Sequence, residues 1–263
     1  MCENYRISIV SVVYNAEDVL GRMIESVIRQ TYNNLELVIM DGGSSDGTVE
    51  IIKEYEEYVD FWKSEADEGI YHAMNKGAQK ATGDYLYFLN ADDWFYDSDV
   101  LKRIIQEIGN KQYELVYGNV VRIYPSFEVE IVRDFNKFAL ARGKIPPHQA
   151  SFISKRVFWS LQGYQERYQS AGDLDFFCRL EERSPSYKYL DESIACVSSG
   201  GFSSRKDISS PEVVQVIKKY YGPVPAARVQ ARLAVERIIK STLLRVGLRD
   251  LYQKMLKYKM REV

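Results

Sequence analysis

Short β-branched runs alternate with helix-length stretches over the first 110 residues, and the runs end in polar or acidic residues. Ile7 to Val13 reads as a buried strand, and Glu17 to Gln30 as a helix with Val19, Leu20, Met23, Ile24, Val27 and Ile28 on one face. A strand over Leu35 to Met40 follows, then a helix over Val49 to Tyr58 whose start is supplied with Ser and Asp N-caps. Phe61 to Ser64 predicts a short strand, Ile70 to Ala81 a helix closed by Gly83, Tyr85 to Leu89 a strand, and Leu101 to Gly109 a helix. This alternation predicts an α/β chain with a mainly parallel sheet flanked by helices. Ligands in such sheets sit beyond the carboxyl ends of the strands. The clusters at Tyr14–Asn15, Asp41, Asp67 and Asp92–Asp93 should therefore meet on one rim.

The pattern changes after Gly109. Leu115 to Ile123 and Phe127 to Val132 predict antiparallel strands around Pro125, and Pro146–Pro147 a rigid elbow into a strand over Gln149 to Ile153. Asp173 to Leu180 reads as a helix and Ile194 to Val197 as a late strand. Three helical segments follow, near 211–221, 225–246 and 248–260.

The formal charge of −2 hides an uneven distribution. From Lys206 onward there are 13 Lys or Arg against 5 Asp or Glu, leaving 22 against 32 in the first 205 residues. A near-neutral total argues against a general nucleic-acid binder. Cys2, Cys178 and Cys196 are few and widely spaced, which suits a reducing compartment rather than a metal or disulfide framework. The expected location is cytoplasmic, since no signal-like or spanning apolar run occurs.

Carboxylates at strand ends, with only two histidines and no cysteine cluster, suggest hard-cation and diphosphate chemistry. Asp92 and Asp93 repel each other unless neutralised, as by Mg²⁺ or Mn²⁺; alternatively one caps the next helix and the other is solvated. Gly42, Gly43 and Gly47 permit tight turning but form neither a dinucleotide fingerprint nor a P-loop. A nicotinamide enzyme and a P-loop NTPase are both disfavoured.

Three ordered segments carry more information together. Ser-Val-Val-Tyr-Asn at 11–15, Asp-Gly-Gly-Ser-Ser-Asp-Gly-Thr at 41–48, and the run from Asp67 to Asp93 with its Gly-Ile-Tyr-His-Ala-Met-Asn-Lys-Gly core resemble family 2 glycosyltransferases of the GT-A fold, in particular the bacterial polysaccharide-assembly type. The resemblance covers residue 7 to about 200. It implies inverting transfer of a sugar from a nucleotide-diphosphate sugar, a UDP-sugar by preference, to an acceptor hydroxyl. That acceptor would be a saccharide or lipid-linked intermediate of bacterial surface polysaccharide. It implies donor-binding roles for Tyr14, Asn15, Asp41, Asp67 and Asn75. Asn90-Ala91-Asp92-Asp93 stands for the metal-binding element, with Asp92 and Asp93 as ligands of Mn²⁺ or Mg²⁺. Many relatives have Asp where Asn90 stands, and often Asp at the place of His72, which is better read as a helix-surface residue.

The general base implied by the resemblance is Asp173, in a Glu-Asp element whose Glu is replaced by Gly172; a helix N-cap is the competing reading, and Asp175 is the fallback base. His148 falls where relatives have a histidine near acceptor or diphosphate, although a structural hydrogen-bonding role explains it as well. Trp94, directly after the acidic pair, is the one aromatic singled out for the same region. The expected organisation is a GT-A catalytic domain over 1–205, with a donor half to about 110 and an acceptor half to about 205. A basic amphipathic helical tail over 206–263 follows. Its apolar stripe (Val229, Leu233, Val235, Ile238, Ile239) beside Arg and Lys suits an anionic membrane surface at the inner face of the plasma membrane, the catalytic domain, or a second copy in a homo-oligomer. The alternative function is a non-catalytic sugar-nucleotide-binding or membrane scaffold subunit.

Overall fold

A computed structural model describes residues 5–198 and 206–245, with the side chains of 206–210, Lys240 and Leu244 left aside. The predicted helix at 248–260 lies outside the described residues. In chain order the elements are β1 (Ile7–Val13), α1 (Leu20–Ile28), β2 (Leu35–Asp41), α2 (Thr48–Glu54), β3 (Phe61–Ser64), α3 (Ile70–Lys80), β4 (Tyr85–Phe88), β5 (Trp94–Phe95), α4 (Val100–Ile108), β6 (Leu115–Ile123), β7 (Glu128–Ile131), α5 (Lys137–Leu140), β8 (Ser151–Ser154), α6 (Lys155–Ser160), α7 (Gly172–Glu181), β9 (Tyr187–Ser198), α8 (Lys206–Tyr221) and α9 (Pro223–Arg245). Single 3₁₀ turns occupy Glu56–Tyr58 and His148–Ala150.

One sheet runs β3-β2-β1-β4-β8-β6-β9-β5, with β7 also paired to β6. β3, β2, β1 and β4 are mutually parallel; β8 enters antiparallel to β4, and β9 lies parallel to β6. The alternation of strand side chains divides the core into two layers. Ile7, Ile9, Leu37, Ile39, Tyr85 and Tyr87 face α1 and α4. Val10, Val38, Leu86 and Phe88 face the layer built from α3, α6, α7 and α8. Helix α3 lies close on the sheet because Gly77 carries no side chain; a Cβ there would overlap Val10 Cγ1.

The second layer extends into the C-terminal segment. Val216 and Ile217 of α8 are fully buried, and Ala226 and Val229 of α9 nearly so. Val229 and Leu233, two members of the predicted apolar stripe, thus pack on the domain, while Val235, Ile238 and Ile239 stay exposed. Glu212 of α8 accepts hydrogen bonds from the backbone N–H groups of Gln169 (2.8 Å), Ser170 (2.8 Å) and Ala171 (3.1 Å), just ahead of α7. Asp175 of α7 is wholly buried and accepts from Lys219 Nζ (2.9 Å), Tyr220 Oη (3.0 Å) and Arg179 Nε (2.8 Å).

At the opposite end of the strands, the buried Glu36 closes the bottom of the sheet. It accepts from Ser8 Oγ (2.5 Å), Thr82 N (2.5 Å), Thr82 Oγ1 (2.8 Å) and Gly83 N (3.0 Å). Burial alone would raise this carboxyl, but these hydrogen bonds hold it below the ordinary glutamate range. Such a group stabilises the fold above its unfolded value and ceases to do so as pH falls through its folded value. Replacing Glu36 by Ala takes the acceptor from Ser8 Oγ, Thr82 N and Thr82 Oγ1, while Gly83 N keeps Ser8 Oγ (2.9 Å), and should cost about 2 kcal/mol in urea unfolding at pH 7. That penalty should shrink as the pH is taken below about 4.

Candidate active site

The carboxyl ends of β1, β3 and β4 open onto a cavity of about 620 Å³. Its wall includes Tyr14, Asn15, Gly42, Asp67, Tyr71, Asn90, Asp92, Asp93, His148, Gln149, Tyr164 and Asp173. Parallel strands deliver the first residues. The antiparallel entry of β8 brings His148 and Gln149 across from the other half, and α7 presents Asp173 in its first turn.

The donor-side residues play different parts. Tyr14 lines the mouth with 65% of its surface exposed, an open ring face available for stacking. Asn15 sits at a positive φ of 47°; its backbone N–H donates to Ser44 Oγ (2.8 Å) and its side-chain oxygen accepts from Ser45 N (2.9 Å), clasping the 41–48 loop to the end of β1. Asp41 lies beneath that loop and outside the lining. Its carboxylate is only 2% exposed and is taken up by Ser44 N (3.0 Å), Ser44 Oγ (2.5 Å) and Ser64 Oγ (2.5 Å). Asp67 does reach the cavity. Its Oδ1 accepts from Gly69 N (2.8 Å), and its Oδ2 lies so near Gly42 that a Cβ there would come within 2.6 Å. Asn75 also lies outside the lining: it donates to Tyr164 O (2.9 Å) and Glu166 Oε1 (2.9 Å) and accepts from Tyr164 N (2.9 Å), fastening α3 to the loop before α7.

The two adjacent aspartates separate by environment. Asp93 is 2% exposed and accepts from Asn90 Nδ2 (3.0 Å), Gln149 Nε2 (3.1 Å) and Ser198 N (3.1 Å). Burial, then the like charge of Asp92, pushes its carboxyl up to about 6. Asp92 faces the cavity, and burial raises its carboxyl too. Its main-chain carbonyl is held by Ser198 Oγ (2.7 Å) and an Arg22 guanidinium nitrogen (3.3 Å). Among the described residues, no group of three or more His, Cys, Asp or Glu side chains converges on a metal position. A cation here would therefore draw most of its ligands from a bound diphosphate, which is how Mg²⁺-type ions are commonly held. The oxygen donors fit that arrangement, because Asn90 Oδ1, two residues before Asp92, is buried with no hydrogen-bond partner among the described residues.

Trp94, expected near the acceptor or diphosphate, is not part of the lining; Arg22 covers its ring at 3.6 Å. His72 accepts from Glu68 N (3.0 Å) at the entry to α3. His148 lies between Asn90 and Asp173: Nε2 meets Asn90 Nδ2 at 3.4 Å and Nδ1 lies 3.7 Å from Asp173 Oδ2. The Asp173 side chain keeps 20% of its surface exposed whereas that of Asp175 has none, so the first is the carboxylate within reach of a ligand. Gln149, Ser198, Tyr71 and Tyr164 carried no role in the sequence reading. Only Tyr71, inside the Gly69–Gly77 motif, had a local signal.

The motifs that line the cavity fall within a recognised family: the sequence profile of glycosyl transferase family 2 matches residues 8–190. The chain belongs to that family. It is 35% identical over 176 residues to a PGL/p-HBAD biosynthesis glycosyltransferase of Mycobacterium tuberculosis, covering 65% of this chain and 68% of the relative. Among solved structures, S. aureus TarS 1–349 in complex with UDP-GlcNAc superposes with a TM-score of 0.68 at 16% identity, over 82% of this chain and 65% of that one. The mannosyltransferase PcManGT from Pyrobaculum calidifontis, in complex with GDP-Man and Mn²⁺, gives 0.65 at 16% identity over 95% and 83%. Both share the GT-A-type fold. The chain spans 42% of the full TarS chain, which continues well beyond the shared part. This family 2 chain is thus a glycosyltransferase with a curled mixed sheet and C-terminal helices. No described helix is long and apolar enough to cross a membrane.

A raised carboxyl opposes folding once it must ionise, so the cost of Asp93 sets in as pH rises from about 4 through its folded value of about 6. Asp93→Asn removes that titration. The stability of the variant relative to wild type should improve by about 2–3 kcal/mol between pH 4 and pH 7. Urea midpoints across that range measure it, and a difference that does not move with pH would contradict a buried, raised carboxyl.

Proposed function

We propose that this family 2 enzyme transfers a sugar, with inversion, from a UDP-sugar to an acceptor hydroxyl, and that Asp173 is the general base. The observation that carries the reading is the placement of Asp92 and Asp173 in one cavity, with His148 set between Asn90 and Asp173. In a direct displacement the acceptor oxygen bonds to the anomeric carbon as its proton passes to Asp173. The bond to the diphosphate breaks with its electron pair leaving on the nucleotide. One carboxylate suffices, and Asp175, the other candidate, is locked in the contact between α7 and α8.

On this reading Tyr14 stacks on the nucleobase at the mouth, and Asp67 faces the nucleotide; Asn15, Asp41 and Asn75 shape the donor pocket from behind. Asp93 fixes the loop that carries Asp92. Asp92 and Asn90 would hold a Mn²⁺ or Mg²⁺ ion on the diphosphate, where it would neutralise the charge of the leaving group. The TarS and PcManGT complexes, with UDP-GlcNAc and with GDP-Man and Mn²⁺, support a nucleotide-sugar donor and a cation without deciding the base. A saccharide or lipid-linked acceptor of surface polysaccharide agrees with the exposed Val235, Ile238 and Ile239 of α9. These lie on a helix that also exposes Arg228, Arg237 and Arg245, a composition suited to an anionic lipid surface on the cytoplasmic side.

Release of nucleoside diphosphate from UDP-GlcNAc and other sugar nucleotides, with or without added saccharide, provides the assay. Asp173→Asn should lower turnover at least about 100-fold. UDP affinity by calorimetry should stay within about twofold. Turnover retained in that variant would remove the base assignment. EDTA should suppress release and Mn²⁺ restore it; indifference to chelation would overturn the metal role.

A further inference from the structure

Asp173 is held from behind by a side chain of α3. Tyr71, in the first turn of α3, is 5% exposed and lies 102 residues earlier in the chain. Its hydroxyl donates to Asp173 Oδ1 at 3.2 Å, and Leu174 N donates to the same oxygen at 2.8 Å. Among the described residues no hydrogen bond reaches Oδ2, which faces His148 Nδ1 at 3.7 Å. The two carboxylate oxygens are therefore not equivalent: one is committed to the protein and the other is open.

The same tyrosine accounts for the missing side chain at position 172. A Cβ on Gly172 would lie 2.8, 2.8 and 2.9 Å from three atoms of the Tyr71 ring, closer than carbon atoms approach without displacement. The ring occupies the space a glutamate would need at this place. Tyr164 packs against the same ring at a centroid distance of 5.2 Å. Burial and the nearby Asp173 charge raise the phenol well above its ordinary range, so it is protonated and able to donate at neutral pH.

We propose that Tyr71 is a positioning residue for transfer: its hydroxyl holds Asp173 Oδ1 so that Oδ2 receives the acceptor's proton, and its ring replaces the side chain absent at Gly172. The proposal rests on Asp173 being the base. Its consequence is a division of labour across the cavity, in which α3 sets the base through Tyr71 and β8 sets the histidine beside it.

Tyr71→Phe retains the ring and removes only the donor. It should lower kcat for diphosphate release about tenfold, with donor KM within twofold and Tm unchanged, because proton transfer is sensitive to small errors of position. Packing alone would not produce that split. Gly172→Ala is the second variant: it keeps the hydroxyl but drives a methyl into the ring, and should lower kcat at least as much with UDP affinity by calorimetry preserved. Wild-type kcat in either variant would overturn the proposal. The two levels are separable through Asp173→Asn. If that variant turns over normally, the base reading fails and the positioning role with it. If it is inactive while Tyr71→Phe matches wild type, only the positioning role fails.

Discussion

A single buried carboxylate joins the two halves of the site. Asp93 draws donors from three separate places: Asn90 on its own loop, Gln149 ahead of β8, and Ser198 at the end of β9. The parallel half of the sheet is thereby tied at the cavity floor to the half that reverses direction. The pairing of β5 with β9, Trp94 opposite Cys196, brings the end of β9 beside this loop, and the Asp93 carboxylate secures the last residue, Ser198, at the cavity. The cost is visible in the carboxyl, which burial and Asp92 raise to about 6. It is compensated by three hydrogen bonds that commit Asp93 to the protein, while the Asp92 carboxylate faces the cavity. A pair of adjacent aspartates in sequence thus becomes one structural and one functional group.

A comparable arrangement holds the base. Helix α7 begins where Glu212 gathers three successive N–H groups, which would otherwise be unpaired at the helix entrance. Two residues past Asp173, the buried Asp175 receives Lys219 and Tyr220 from α8. Burial would raise Asp175, yet the Lys219 hydrogen bond and the Arg179 guanidinium hold it below its ordinary range, so it stays a charged anchor. The segment after residue 205, which its charge alone marks as a separate basic tail, begins by bracing the element that presents Asp173. Only further along α9 do its apolar residues turn outward.

Much of this was legible because buried parallel strands are short and β-branched. Phe61 to Ser64 is read to the residue, and β1, β2 and β4 to within one. β9 was read only as Ile194 to Val197, since its first half alternates Lys188, Asp191 and Glu192 with Tyr189 and Leu190 and resembles a polar loop. The two-residue β5 and the short helices α5 and α6 are set by packing, and carry no periodicity long enough to read. In the site, strand-end position brought Tyr14, Asn15, Asp67, Asp92 and Asp93 to one cavity. Motif resemblance added His148 and Asp173. Neither source distinguishes a carboxylate aimed at a ligand from one consumed by its own loop, as Asp41 is. Nor does either foresee a partner such as Ser198, whose role exists only after a crossover of more than 100 residues.

The account stands on the cavity being a nucleotide-sugar site completed by a cation at Asp92. A thermal-shift panel of UDP-, GDP- and dTDP-sugars, each with and without Mn²⁺, tests this most directly, because a ligand that binds only the folded state raises Tm. The expected result is stabilisation by UDP-sugars that increases with Mn²⁺ and loses that increase in Asp92→Asn. No shift from any sugar nucleotide at millimolar concentration, with or without the ion, would contradict the account.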